Sequence, residues 1–342
     1  MDMKPQLTWQ KITLKLRNPF RISYGTSEER LAYWIRLKND EGWGEGTIPP
    51  YYGVSTDDME LFWENASESA LPFPEEPEKI SSWVGTDGPA PARCALDIAF
   101  HDRIARANNL PLYKLLGLSK PEPKISSFTI AIDTPSEMAK KALLAKNYSI
   151  IKVKLGSDDL DMVRLQAIRA VRPDVQLRLD ANAGWTLENA MGYIQDLERF
   201  NLEMIEQPLY KDDIKGMGII QSQTDIPIVA DESVQTLKNI EDLASVGVKG
   251  VNIKLMKVGG LSPALKMIKR SRELGLKVML GCMVETSIGT TAMAHLGSLA
   301  EWLDLDAPAL ISNDPFDGMI FDGSGTVKIP DREGIGVLLK SL

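Results

Sequence analysis

The sequence predicts an α/β protein, a (β/α) barrel of the TIM type with an α+β region ahead of it. Two observations lead there. From about residue 125, short apolar runs alternate with amphipathic helical stretches, and eight such runs suggest repeated β-α units with parallel strands. Five successive runs also end in an ionisable residue: Lys154, Asp180, Glu206, Asp231 and Lys254, spaced by 26, 26, 25 and 23 residues. Each step is one β-α unit. In a barrel the C-terminal ends of all strands converge on one mouth, where active sites sit. The spacing therefore predicts that these five groups meet in space.

The elements follow in chain order. Leu7–Leu16 alternates apolar and polar residues as a half-buried strand does. Leu31–Lys38 is a second strand, rich in aromatic and branched residues. A turn at 39–42 leads to a third, Trp43–Thr47. Pro19–Arg30, with Gly25 and clustered charge, and Ile48–Asp58, with two prolines and two tyrosines, are expected to be loops. Segments of this length often serve as lids. Helices are expected at Met59–Ser67 and at Pro91–Ala107, where Ala95, Ile98, Ala99 and Ile104 form an apolar face and Pro91 suits a helix start. A turn or short helix follows at Pro111–Leu116. The eight barrel runs are then Ile125–Ala131, Ile150–Lys154, Val175–Asp180, Met204–Glu206, Ile228–Asp231, Gly250–Lys254, Val278–Leu280 and one near Leu303.

Composition narrows the function. The chain has 342 residues, 44% hydrophobic and 25% charged, with a formal net charge of −8. Nucleic-acid binding calls for a basic patch, and none is visible. Cys94 and Cys282 are the only cysteines, far apart and without metal spacing, which suits a reducing compartment. The N-terminal segment lacks the apolar run of a signal peptide. No stretch approaches the roughly 18 apolar residues of a membrane span. The expected location is the cytoplasm.

Three carboxylates converging from adjacent strands would repel one another unless a cation sits among them. An all-oxygen set favours Mg²⁺, with Mn²⁺ as a substitute, over zinc. Taken singly, each acid could instead cap the next helix, and each lysine could make a structural salt bridge. Together they suggest one chemistry. The cation binds a substrate carboxylate, one lysine removes the neighbouring proton, and the metal stabilises the enediolate as a Lewis acid. The opposite lysine returns a proton to the other face. A lysine base near neutral pH must be tuned down by burial and nearby positive charge, which the metal and Lys152 would supply.

These residues resemble the enolase superfamily, in particular its muconate-lactonizing subgroup. The carrying motifs are Lys152-Val153-Lys154, Asp180-Ala181-Asn182, Glu206-Gln207-Pro208, Asp231-Glu232-Ser233 and NIKLMKVGG at 252–260. The resemblance covers essentially the whole chain. It implies an enolase-like modified barrel at 121–310, an N-terminal capping domain at 1–120 that includes Asp97, and a segment at 311–342 returning to the cap. It implies Mg²⁺ on Asp180, Glu206 and Asp231, an acid/base pair in Lys154 and Lys254, and Lys152 near the bound carboxylate. Asn182 and Glu232 are implied supports of the metal ligands.

Within the subgroup, further residues resemble dipeptide epimerases. Asp304-x-Asp306 lies at the end of the last barrel strand, and alternation puts both side chains on one face. In that family the pair accepts hydrogen bonds from a dipeptide's free α-ammonium, bonds that charge strengthens. GCMVET at 281–286, with Met283, and Thr129 in SFTIAID match the family's seventh and first strands. Members acting on L-Ala-L-Glu carry an arginine in the first cap loop, at a position near Gly25 here. Arg21 lies four residues earlier. Without that cation, burying a glutamate side chain is costly. Tyr51, Tyr52, Ile48 and Val54 offer aromatic and apolar surface instead, which points to a hydrophobic or aromatic residue at the epimerised position. A cationic residue is a further option, with Glu28, Asp57 and Asp58 nearby. The expected partner is a small dipeptide, and family analogy adds a homo-oligomer. Competing readings are o-succinylbenzoate synthesis or muconate cycloisomerisation on the same scaffold, and a non-catalytic metal- or dipeptide-binding protein. His101 and His295 sit in apolar helical contexts and are expected to be structural.

Overall fold

The computed structural model describes residues 6–341; the sequence reading of the N-terminus falls in part on residues 1–5, outside the described residues. Three antiparallel strands open the chain in the order β1 (Leu7–Ile22), β2 (Gly25–Leu37) and β3 (Trp43–Thr47). The segment 19–30, expected to be a loop, is instead the far end of the β1–β2 hairpin. After a register break between Lys15 and Phe20 the pairing resumes at Phe20↔Ser27 and closes at Ile22↔Gly25. Gly25 has φ +131°, a conformation that favours glycine and lets the hairpin turn here. Charged residues do not oppose a strand whose side chains reach water, and the ladder satisfies the backbone.

Helices α1 (Thr56–Ser67), α2 (Pro77–Val84), α3 (Ala90–Ala107) and α4 (Leu112–Leu115) complete the cap. Ser55 caps α1 by accepting from the amides of Asp57 and Asp58, which starts the helix three residues before Met59, inside the expected loop. The sequence reading offered no counterpart of α2. β3 lies directly on α3: a Cβ at Gly44 would collide with the Ala95 carbonyl oxygen.

The run expected at 125–131 divides in two. β4 (Lys124–Ile125) pairs outside the barrel, and β5 (Phe128–Ile130) begins it. The remaining units are α5 (Pro135–Leu144), β6 (Ile150–Lys154), α6 (Asp161–Val171), β7 (Gln176–Asp180), α7 (Leu187–Leu197), β8 (Leu202–Glu206), α8 (Ile214–Gln221), β9 (Ile228–Ala230) and α9 (Leu237–Ser245). They continue with β10 (Gly250–Ile253), α10 (Leu255–Val258), α11 (Leu261–Glu273), β11 (Lys277–Gly281), α12 (Ser287–Ala294), β12 (Trp302–Asp304) and α13 (Ala307–Leu310). The eight strands β5 to β12 form one sheet in sequential order with parallel pairing. A bridge between Ser126 and Leu303 joins the first strand to the last. The tail forms β13 (Phe316–Asp317), β14 (Ile320–Phe321), β15 (Thr326–Lys328) and β16 (Leu338–Leu339), with β15 pairing to β4.

Strand alternation sorts the barrel into layers. Ile151, Val153, Leu177, Leu179, Ile205, Val251 and Ile253 face outward into the core beneath the helices. Inside, Met204, Val229, Met279 and Trp302 form a separate apolar plug. Two residues further along those same strands come Glu206, Asp231, Gly281 and Asp304, so the acids sit above this plug at the C-terminal mouth. Two cap carboxylates fasten the cap to barrel helices. Glu45 accepts from Thr286 N (2.8 Å), Thr286 Oγ1 (2.6 Å) and Gly289 N (3.0 Å) at the start of α12. Asp97 accepts from Leu261 N (2.6 Å) at the start of α11. Both use the unpaired amides and positive dipole of a helix N-terminus. Among the described residues, no helix is long and apolar enough to cross a membrane.

Candidate active site

Parallel pairing in register brings the strand ends level. Lys154 pairs with Asp180 and Asp180 with Glu206 across β6, β7 and β8, and Asp231 follows β9 directly. Asp180, Glu206 and Asp231 are all buried, and one carboxylate oxygen from each lies within 4.8 Å of the others. The chain bends sharply after two of these acids. Asn182 (φ 42°), Ala183 (φ 59°) and Gln207 (φ 34°) occupy left-handed backbone, uncommon for residues with a side chain and frequent at functional sites. Gln207 then ties the next strand down. Its Oε1 accepts from Asp231 N (2.8 Å) and Ser233 N (3.2 Å), while its Nε2 donates to Leu209 O (2.8 Å) and Ser233 Oγ (2.9 Å). Asn252 Nδ2 donates to Glu206 Oε1 at 2.8 Å. Asn182 Nδ2 donates to Glu232 Oε1 at 3.2 Å, which joins the two expected supports to each other.

The lysines approach from both sides. Lys154 Nζ stands 2.6 Å from Asp180 Oδ2, and Lys254 Nζ 2.7 Å from Asp231 Oδ2. Lys152 Nζ lies between three acids, 2.9 Å from Asp180, 2.6 Å from Glu206 and 2.7 Å from Asp304. A fourth lysine joins them: Lys257, buried on α10, contacts both the carboxylate and the carbonyl oxygen of Asp231. The sequence reading quoted its motif without giving it a role. Its spacing of three residues from Lys254, which returns it to the same side of a helical turn, is the signal that would have found it.

Electrostatics follow this pairing. Burial raises the Asp180 carboxyl, but Lys152 and Lys154 outweigh it and hold the group below its ordinary range. Glu206 is pushed up to about 8, by burial first and the Asp180 charge second. For Lys254, burial lowers the ammonium pKa but Asp231 overrides it, so the net shift is upward. With Asp231 uncommitted to a cation, its carboxylate at 2.7 Å favours the charged amine more than burial and Lys152 oppose it.

Above this layer is a cavity of about 480 Å³ whose lining includes Lys152, Lys154, Lys254, Asn182, Thr129, Met283, Tyr51, Asp304 and Asp306. Tyr52 is placed differently from Tyr51. It does not line the cavity but packs against the core, its ring 5.1 Å from that of Tyr51. Asp304 accepts from Lys152 and from Ser127 Oγ (2.6 Å), and Asp306 from Thr129 N (2.7 Å). Burial and the neighbouring Asp304 charge push Asp306 up to about 6. Arg21 is exposed and outside the cavity, whereas Arg30, given no role from the sequence, lines it from β2. Among the other residues weighed for side-chain selection, Ile48, Val54, Glu28, Asp57 and Asp58 also stay outside the lining.

The donor set suits a hard divalent cation. It is all oxygen, carried by three buried carboxylates. Three further buried oxygens around it, Asn182 Oδ1, Glu232 Oε2 and Asn252 Oδ1, have no hydrogen-bond partner among the described residues. A hydrated ion would give such oxygens donors.

Comparison with known proteins agrees with this arrangement. The family model described as "Enolase C-terminal domain-like" matches residues 136–341. An L-Ala-D/L-Glu epimerase of Bacteroides thetaiotaomicron is 35% identical over 341 residues, 98% of this chain and 88% of that protein. An L-Ala-D/L-amino acid epimerase of a Maribacter species is 34% identical, covering 98% of this chain and 99% of that one. The crystal structure of a dipeptide epimerase from Enterococcus faecalis, complexed with Mg and the dipeptide L-Leu-L-Tyr, superposes with a TM-score of 0.91 at 31% identity, covering 97% and 98% of the two chains. The chain belongs to the enolase superfamily and, within it, to the dipeptide epimerases, a family of isomerases.

Proposed function

We propose that this protein is a Mg²⁺-dependent dipeptide epimerase that inverts the α-carbon of the dipeptide's C-terminal residue by two-base proton transfer. The observation that carries the reading is the placement of Lys154, at the end of β6, and Lys254, just past β10, on one cavity, with the three buried acids at the strand ends between them. A divalent cation held by Asp180, Glu206 and Asp231 would act as a Lewis acid toward the substrate carboxylate. Lys152 adds a fixed positive charge beside it. One lysine removes the α-proton in its amine form and the other, as an ammonium, protonates the opposite face. The roles exchange for the other epimer. Asp304 and Asp306 accept hydrogen bonds from the substrate's α-ammonium, while Thr129 and Ser127 hold the two carboxylates in place.

The side chain of the epimerised residue is apolar or aromatic in this reading. Phe20, Ile22 and Tyr24 of the hairpin meet Tyr51 over the cavity, and Tyr24 and Tyr51 stack at 4.2 Å. Two free cysteines suit the cytoplasm, and family analogy supports a homo-oligomer. The test is α-proton exchange in deuterated water across a dipeptide panel, read by mass. Exchange into dipeptides with apolar C-terminal residues is expected. Turnover of an o-succinylbenzoate or muconate precursor, with no exchange in any dipeptide, would reverse the assignment.

A further inference from the structure

We infer that Arg30 is a specificity residue that binds a carboxylate on the side chain of the substrate's N-terminal residue, an aspartyl or glutamyl group. The inference rests on the dipeptide reading above. Three observations support it.

Arg30 is a buried cation without a counter-ion. It is 9% exposed and lines the cavity, yet among the described residues no carboxylate lies within salt-bridge distance of it. Its Nε has no hydrogen-bond partner, and its one side-chain bond is a long 3.3 Å contact from Nη2 to Ser27 Oγ. The other cations on the cavity differ. Lys152, Lys154 and Lys254 each have a carboxylate oxygen within 2.7 Å. Leaving one buried guanidinium unpaired is costly. The cost is met in the complex if the substrate brings the anion, and the planar fork of arginine matches a carboxylate in bidentate fashion.

The position of Arg30 points to the N-terminal residue. Arg30 pairs across the hairpin with Leu14 and lies on the same face of β2 as Ala32. Leu14 and Ala32 pack against Val284, just past β11, and Ile311, just past α13. The backbone of Arg30 thus stands over the β11–β12 sector, the sector of Asp304 and Asp306, where the substrate's ammonium is expected, while its guanidinium reaches back along β2 to Ser27, near Tyr51. The hairpin tip reaches a different sector: Ser23 Oγ donates to Asn182 O at 2.5 Å, beyond the end of β7. The cap surface over the cavity is thus aromatic at the hairpin tip, with one cation, Arg30, behind it on β2.

The test compares matched dipeptides by the rate of α-proton exchange at their C-terminal residue. Wild-type enzyme is expected to prefer L-Glu-L-Phe over L-Gln-L-Phe by roughly 10- to 100-fold in kcat/KM, the range of hydrogen bonds to charged groups. In Arg30→Met that ratio should fall to about 1, and Arg30→Lys should keep part of it, with the loss appearing mainly in KM. Circular dichroism melts check that both variants fold. The wild-type ratio is informative by itself: equal rates on the two dipeptides would overturn the inference. So would a preference that survives in Arg30→Met, or an acid preference confined to the C-terminal residue, as in L-Phe-L-Glu against L-Phe-L-Gln. Absence of exchange in every dipeptide would instead remove the epimerase reading on which the inference stands.

Discussion

The floor and the roof of the cavity are built on different principles. On the floor, Lys154, Asp180, Glu206, Asp231 and Lys254 sit at strand ends, all less than one-tenth exposed, and the lysines are bonded to the acids. On the roof, Tyr24 and Tyr51 are 41% and 40% exposed, on a hairpin tip and a short turn, and Arg30 is an unpaired charge. A ladder of parallel strands fixes the floor groups relative to one another, as the proposed proton transfer would require. The roof depends on the docking of separate segments, so it can change without moving the two lysines.

The comparison breaks most severely at the lysines. Lys154→Ala and Lys254→Ala should each lower epimerisation by at least ~10²- to 10⁴-fold, the usual contribution of a general acid or base. Magnesium affinity by titration calorimetry should stay mostly intact. A variant with full activity would refute two-base transfer. Chelation should abolish activity and Mg²⁺ restore it, and Glu206→Gln should weaken magnesium binding.

A smaller effect is expected where a floor group is held indirectly. Gln207→Leu removes the acceptor for Asp231 N and Ser233 N. Stranding buried amides costs about 1–3 kcal/mol each, so the melting temperature and kcat should both fall. At Gly281 an added Cβ would stand 2.5 Å from Asn252 Oδ1 and 3.0 Å from Lys254 Cε. Gly281→Ala should therefore lower kcat more than KM, with a modest loss of stability, and an unchanged kcat would show that Lys254 tolerates the shift. On the roof, Tyr51→Ala should change the ranking of C-terminal side chains in the exchange panel, raising KM for aromatic ones above all. An unaltered ranking would remove Tyr51 from side-chain selection.

The least dramatic test lies away from the cavity. His295 joins the cap to the C-terminal segment: Tyr113 N–H donates to its Nδ1 (3.3 Å) and its Nε2 lies 3.2 Å from Ile335 O. Burial pushes its pKa down to about 4, against about 6.5 in the unfolded chain. The unfolded state therefore takes up this proton first as pH falls. The contribution of His295 to stability is complete above pH ~6.5 and is lost toward pH ~4. Melting curves across that window should fall less steeply for His295→Gln than for wild type. Parallel curves would assign the acid sensitivity to other groups.

Much of the floor was legible before any coordinates. Five ionisable residues at one-unit spacing in a β-α pattern have one natural meeting place, because parallel strands in register bring their C-terminal ends to the same mouth. Alternation likewise placed Asp304 and Asp306 on one face. The roof was not legible in the same way. The stretch 19–30 read as a loop because its charge and glycine hide a hairpin, whose register depends on cross-strand pairing after a break. Arg30 lies far in sequence from the charged groups of the cavity it lines, and of the adjacent Tyr51 and Tyr52 only the first lines it. Lys257 and Gln207 carried a local hint, but their value lies in touching Asp231 from other segments.

By itself, then, the sequence determined the repeating unit, the residues at strand ends and the chemistry their types allow, since these depend on local periodicity and on one topological rule. The tertiary structure decided which charges are paired and which side chains cover the cavity. Those outcomes depend on distances between segments tens to hundreds of residues apart, and pairing energies and pKa values change steeply with such distances.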